Sequence, residues 1–177
     1  LLDLAQRQNE DGHYVTDAAI STISEMLDMA RIRVVEVATF FTMINLSPVG
    51  KYLLQCCTTT PCWLRGSDEM MRAIKDRYDI SSGETSACGR FSLLEVECLG
   101  ACVNAPILQV NDDFYEDLDY ETTGALLDSL EADDPLPVGS VIGRSGSEAS
   151  GGGTTLAAVK SGKIGKSTSK KRGSAHA

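Results

Sequence analysis

Two pairs of cysteines, each at the downstream end of an apolar run, constrain this chain more than any other feature. Cys57 and Cys62 stand as C-x4-C in "CTTTPC", and Cys98 and Cys102 as C-x3-C in "CLGAC". The runs that lead into them, "KYLLQCC" and residues 91–98, "FSLLEVEC", have the composition of strands. Between them Met70, Ile74 and Tyr78 recur at helical spacing, with Ser67 as the expected N-cap and Asp68 and Glu69 in the first turn. In a strand-helix-strand unit both strands emerge at the same edge of the sheet, so two loops distant in sequence converge on one site.

The elements that follow complete the sheet. "PILQV" and "DFYEDL" read as two strands about a tight turn at Asn111 and Asp112, and "TTGALLDSLEA" as a closing helix. Strand, helix, strand, hairpin, helix is a thioredoxin-like order, an α/β fold with a mixed sheet flanked by helices. Upstream, Ile20, Ile23, Leu27 and Ala30 keep helical spacing behind Thr16 as N-cap and Asp17. A further helix is expected over residues 33–44, with Val34, Val37, Ala38 and Phe41 on one face. With the amphipathic opening "LLDLAQ", these predict a small helical bundle over residues 1–48 that serves hydrophobic packing. The thioredoxin-like domain spans 49–133. Pro135 and Pro137 end the last helix, and 134–177, rich in Gly, Ser and Lys, is expected to be an extended or disordered tail.

Charge and hydropathy exclude several classes. The formal net charge is −9, and residues 1–138 hold nine Lys and Arg against 24 Asp and Glu, which argues against nucleic acid as a partner. No run of about 18 apolar residues exists to span a membrane. The chain starts at Leu1 within a helical pattern, so a preceding segment, including any targeting peptide, is expected. "GKS" at Gly165 lacks the earlier glycine of a phosphate loop, because Lys160 stands in its place.

Six cysteines, two of them adjacent, suit reduced thiols that serve a metal or redox chemistry better than a secreted disulfide framework. Successive strand side chains alternate, so Cys56 and Cys57 cannot both face one site while the strand continues. Cys57 therefore goes with Cys62, Cys56 packs as a small apolar group, and Cys88 is a free thiol. Four thiolates in two loops favour a [2Fe-2S] cluster, with two on each iron. Zinc, which prefers tighter knuckles, and thiol-disulfide exchange, here without a C-x-x-C, are the weaker alternatives. The two histidines, His13 and His176, are too far from the cysteines for a Rieske centre. Backbone N–H groups at Gly100 and Ala101 and hydroxyls at Thr58 to Thr60 would donate to sulfur. Glu95, Glu97, Glu116 and Asp117 would oppose an added electron, so a low potential is expected.

"EVATFFTM", "PVGKY", "CTTTPC", "VECLGACVNAP" and "YEDL" closely resemble the small iron-sulfur subunits of the NADH-dehydrogenase module of respiratory complex I, over about residues 1–130. The resemblance implies a helical bundle, a thioredoxin-like ferredoxin domain, and one [2Fe-2S] cluster on Cys57, Cys62, Cys98 and Cys102, with no catalytic residue. It implies a larger flavoprotein partner that binds FMN and NADH, further peripheral-arm subunits, no nucleic acid and no direct membrane insertion. Consistently, the chain has no G-x-G-x-x-G of its own. It further implies a place on the matrix side of the mitochondrial inner membrane, or on the cytoplasmic face in a bacterium, with the tail running over the flavoprotein. NAD-reducing hydrogenases and formate dehydrogenases use related subunits.

Overall fold

The computed structural model describes residues 1–144 and 146, so the expectations for the rest of the tail, Gly165 and His176 included, lie outside the described residues. Three short helices, α1 (Leu2–Gln8), α2 (Asp17–Met26) and α3 (Arg31–Phe40), precede strand β1 (Tyr52–Cys57). Then come α4 (Thr60–Leu64), α5 (Ser67–Tyr78), β2 (Phe91–Val96), a 3-10 turn (Cys102–Asn104), β3 (Ile107–Val110), β4 (Asp113–Glu116), α6 (Tyr120–Glu131) and β5 (Gly139–Ser140). The strands form one mixed sheet in the order β2-β1-β3-β4-β5. β1 runs parallel to β2 with Cys57 opposite Val96, which brings their downstream ends together.

Helices α5 and α6 cover one face of the sheet. Alternation sends Leu54, Cys56, Leu93, Leu108, Val110 and Tyr115 into that layer, where they meet Met70, Ile74, Leu126, Leu127 and Leu130. Each fully buried side chain of leucine size contributes about 1.5–3 kcal/mol, so this layer dominates the fold's stability. A second cluster of Val15, Ile20, Ile23 and Val34 holds the N-terminal helices together. They are tied to the sheet by the N–H of Val49 donating to the carbonyl of Gly12 (2.8 Å) and by an ion pair between Arg7 and Asp112 (2.6 Å).

Several expectations need correction. The α2 helix stops at Met26 because Asp28 adopts a left-handed φ of 48°, so Leu27 is exposed and Ala30 caps α3 instead of extending α2. Helix α3 covers Arg31–Phe40 and not 33–44, because Phe41 turns to extended backbone. Of its expected face, Val34 and Ala38 are buried while Val37 and Phe41 are 46% and 48% exposed. Ser67 is the first residue of α5 and wholly buried; the cap is Gly66, whose φ of 98° a residue with a Cβ would resist. Strand β2 ends at Val96 and not at Cys98, because its partner β1 ends at Cys57. The loop after Cys57 contains a helix, α4, and the segment after Pro137 adds β5, parallel to β4. The helix read as "TTGALLDSLEA" starts at Tyr120, behind a capping box between Asp119 and Thr122. Among the described residues no helix is long and apolar enough to cross a membrane.

Candidate metal centre

All six cysteines are free thiols, and they divide by position. Cys57 is the last residue of β1, where the strand's hydrogen bonding stops and its side chain faces away from the α5 and α6 layer. Five residues on, Cys62 sits inside α4, whose first turn holds Pro61 at a position that needs no N–H donor. Cys57 and Cys62 are both buried, against Ala105 and Ile107 with Leu99, Ala101 and Phe114 around them. Cys98 and Cys102 lie in the loop beyond β2 and are exposed, with their sulfurs 3.5 Å apart. That loop bends at Gly100, whose φ of 79° a Cβ would disfavour, and so brings its own N–H to 3.4 Å from the Cys98 sulfur.

Backbone donors stitch the two loops together. Burial pushes the Cys57 thiol up, but the Thr59 hydroxyl (3.2 Å from Cys57 Sγ) and the N–H groups of Leu99 and Thr59 outweigh it and leave Cys57 below its ordinary value. Cys62 is pushed up to about 12 by burial and by its hydrogen bond with Cys57, against the N–H of Ile107. Cys102 is raised first by its hydrogen bond with Cys98 and then by burial. These are two sulfur pairs, Cys57 with Cys62 and Cys98 with Cys102, within electrostatic reach of one another. Among the described residues no group of three or more His, Cys, Asp or Glu side chains is already gathered to hold a metal ion. Two pairs suit a binuclear centre that takes two thiolates on each iron better than a tetrahedral zinc.

The other residues singled out from sequence fall into place unevenly. Cys56 is fully buried in the helix-facing core, where burial holds its thiol far above the ordinary range. Cys88 is exposed in the 81–90 link, beside the Ser86 hydroxyl at 3.3 Å. Of the threonines, Thr59 reaches sulfur, whereas Thr58 donates to Glu95 (2.5 Å) and Thr60 opens α4. Glu116 accepts from the Asn104 amide (2.7 Å), and Asp117 is matched by Arg144, so its charge is compensated. Leu99 and Ile107 donate N–H groups to Cys57 and Cys62, and residue type does not reveal them, since backbone donors leave no mark in it. Their proximity to the cysteines was the one available signal.

The surroundings fit the group. Four thiols in two pairs, donors aimed at sulfur and an apolar wall behind the inner pair are what a cluster of net negative charge requires. The family model for the thioredoxin-like [2Fe-2S] ferredoxin matches residues 1–131. An NADH-quinone oxidoreductase subunit of Rickettsia bellii is 55% identical over 133 residues, which cover 75% of this chain and 78% of the relative. The NADH dehydrogenase [ubiquinone] flavoprotein 2, mitochondrial, of Dictyostelium discoideum is 46% identical over 156 residues, 88% of this chain and 62% of the relative. Among solved structures, an NAD+-reducing [NiFe]-hydrogenase aligns with a TM-score of 0.64 at 19% identity, over 76% of this chain and 23% of the hydrogenase chain, a likeness of fold. This chain belongs to the thioredoxin-like [2Fe-2S] ferredoxin family.

Proposed function

We propose that this chain is the electron-transfer subunit of an NADH dehydrogenase of the complex I type, with one [2Fe-2S] cluster held by Cys57, Cys62, Cys98 and Cys102. The observation that carries this is the meeting of two thiol pairs at the adjacent downstream ends of the parallel strands β1 and β2. Membership of the family and the names of its relatives supply the host complex. When bound, the cluster would take up and release one electron at a time.

The chain's own residues prepare that exchange. Thr59 and the N–H groups of Leu99, Gly100 and Ile107 place positive hydrogen-bond donors at the sulfurs, which favours the more negative, reduced state. Ile107, Phe114 and Leu99 exclude water from the inner pair. Trp63, Leu64 and Val103, 57%, 71% and 55% exposed, flank Cys62 and Cys102 in sequence and are exposed apolar side chains suited to a partner. That partner is a larger flavoprotein that binds FMN and NADH, within an assembly of peripheral-arm subunits. The assembly lies at the matrix side of the mitochondrial inner membrane or at the cytoplasmic face of a bacterial one. The chain carries the electron and leaves hydride transfer to the flavoprotein, so no turnover is expected from it alone.

Low-temperature EPR of the anaerobically purified and strongly reduced full chain tests the cluster. A rhombic signal that integrates to one spin per chain is expected. A silent spectrum from folded, reduced protein, with zinc found by metal analysis, would replace the electron carrier with a structural metal site.

A further inference from the structure

The loop that carries Cys102 is held from behind by a segment 42 residues further along the chain, counting to Arg144. Strand β5 lies along β4 with Ser140 opposite Glu116, and the N–H of Val141 donates to the Glu116 carbonyl at 3.1 Å. This places the Ser140 hydroxyl where it donates to Asp117 Oδ2 at 2.6 Å, while accepting from the N–H of Arg144 at 3.2 Å. The Arg144 guanidinium closes a two-pronged pair on the same carboxylate, through Nε to Oδ2 at 3.0 Å and through Nη2 to Oδ1. The Asp117 side chain is 2% exposed and that of Arg144 16%, so water screens the pair little.

Asp117 is in turn fastened to the site. Its backbone N–H donates to the carbonyl of Asn104 at 2.7 Å, and the Asn104 amide donates to Glu116 at 2.7 Å. Asn104 ends the 3-10 turn that Cys102 begins. Arg144 Nη2 also reaches, at 3.5 Å, the carbonyl of Val103, the residue after Cys102. Leu99 and Ala101 pack the middle of the loop against the inner pair, but Cys98, Cys102 and Val103 face solvent. The Cys102 end of the loop is therefore held largely by this polar chain from Arg144 through Asp117 and Asn104.

We propose that Arg144, acting through Asp117, is a positioning residue that holds the Cys102 loop in the geometry required for cluster ligation. The proposal rests on the cluster reading above. Outer partners of this kind fix the orientation of a ligand, and their loss weakens metal retention by about tenfold or more.

The test uses the reconstituted full chain, with cluster release to a chelator and the EPR g-values as readouts and circular dichroism as the check on folding. Arg144→Gln and Asp117→Asn are each expected to speed release by about tenfold and to shift the g-values. Arg144→Lys, which keeps the ion pair, should recover most of the retention. Arg77→Gln removes the ion pairs of Arg77 with Asp128 and Glu131 between α5 and α6, next to Tyr78, which stacks on the first residue of β2 at the end of the strand opposite the Cys98 loop, and should leave release unchanged. Release at the wild-type rate in folded Arg144→Gln and Asp117→Asn would overturn the proposal. So would equal acceleration in Arg77→Gln, which would mean general destabilisation. A wild-type chain that binds no cluster would instead refute the function proposed above.

Discussion

The two cysteine pairs reach the same end of the sheet by different means. The inner pair is built into regular structure, Cys57 closing β1 and Cys62 inside α4, and both are buried. The outer pair is exposed in a loop bent at Gly100, where Leu99 and Ala101 pack inward but the two cysteines are fastened mainly by polar links. One half of the site is thus a rigid anchor and the other a closure that can adjust. Serine substitution separates them most strongly. A buried serine oxygen is a shorter and far less acidic ligand with no room to move, so Cys57→Ser and Cys62→Ser should abolish visible absorption and cluster iron. In Cys98→Ser and Cys102→Ser the loop can shift an oxygen or a water into place, and a reduced iron content with an altered spectrum is expected. Retention in Cys57→Ser with loss in Cys98→Ser would reverse the roles of the two halves.

The same contrast should appear without any cluster. In the metal-free chain, peptide mapping of alkylated thiols should find Cys88, Cys98 and Cys102 modified about 100-fold faster than Cys56, Cys57 and Cys62, the factor that an opening of about 3 kcal/mol imposes. Comparable rates would mean that the inner pair is not held by the fold alone. Cys88 serves as the exposed standard. Its thiol lies below the ordinary value, chiefly through the Ser86 hydroxyl and then the N–H of Arg90. A lowered value keeps the thiolate to lower pH, so the rate at Cys88 should fall away at a lower pH than that of free cysteine, near 8.5.

The difference between the halves also explains what sequence could and could not reveal. Leu54, Leu93, Leu108, Met70, Ile74 and Leu126 repeat at strand or helix period, and from them the order of β1, α5, β2, the hairpin and α6 is legible. The cysteine pairing followed, because alternation along β1 separates Cys56 from Cys57. Helix α4 was hidden because "TPCWL" is too short for a period and has a proline as its second residue. Strand β5 was hidden because Gly139 and Ser140 show no pattern, and what holds them, Asp117 with Arg144, is 27 residues apart in sequence. Regular packing writes itself into residue spacing, whereas the polar links that close the outer loop depend on the finished fold.

A smaller effect probes the inner pair alone. The Thr59 hydroxyl lies 3.2 Å from Cys57 Sγ, and although Thr59 occupies the N-cap position of α4, its side chain makes no capping bond there. Thr59→Val therefore removes a donor to sulfur with little change of shape and without uncapping the helix. A hydrogen bond of about 1 kcal/mol corresponds to about 40 mV in a one-electron couple. Because donors favour the more negative reduced state, Thr59→Val should lower the potential by about that amount in a potentiometric titration. Thr58→Val is the matched comparison, since its hydroxyl goes to Glu95 and not to sulfur. An equal fall in both variants would assign the effect to the loop's general polarity. A fall confined to Thr59→Val would show that the buried half tunes the potential through a single directed bond.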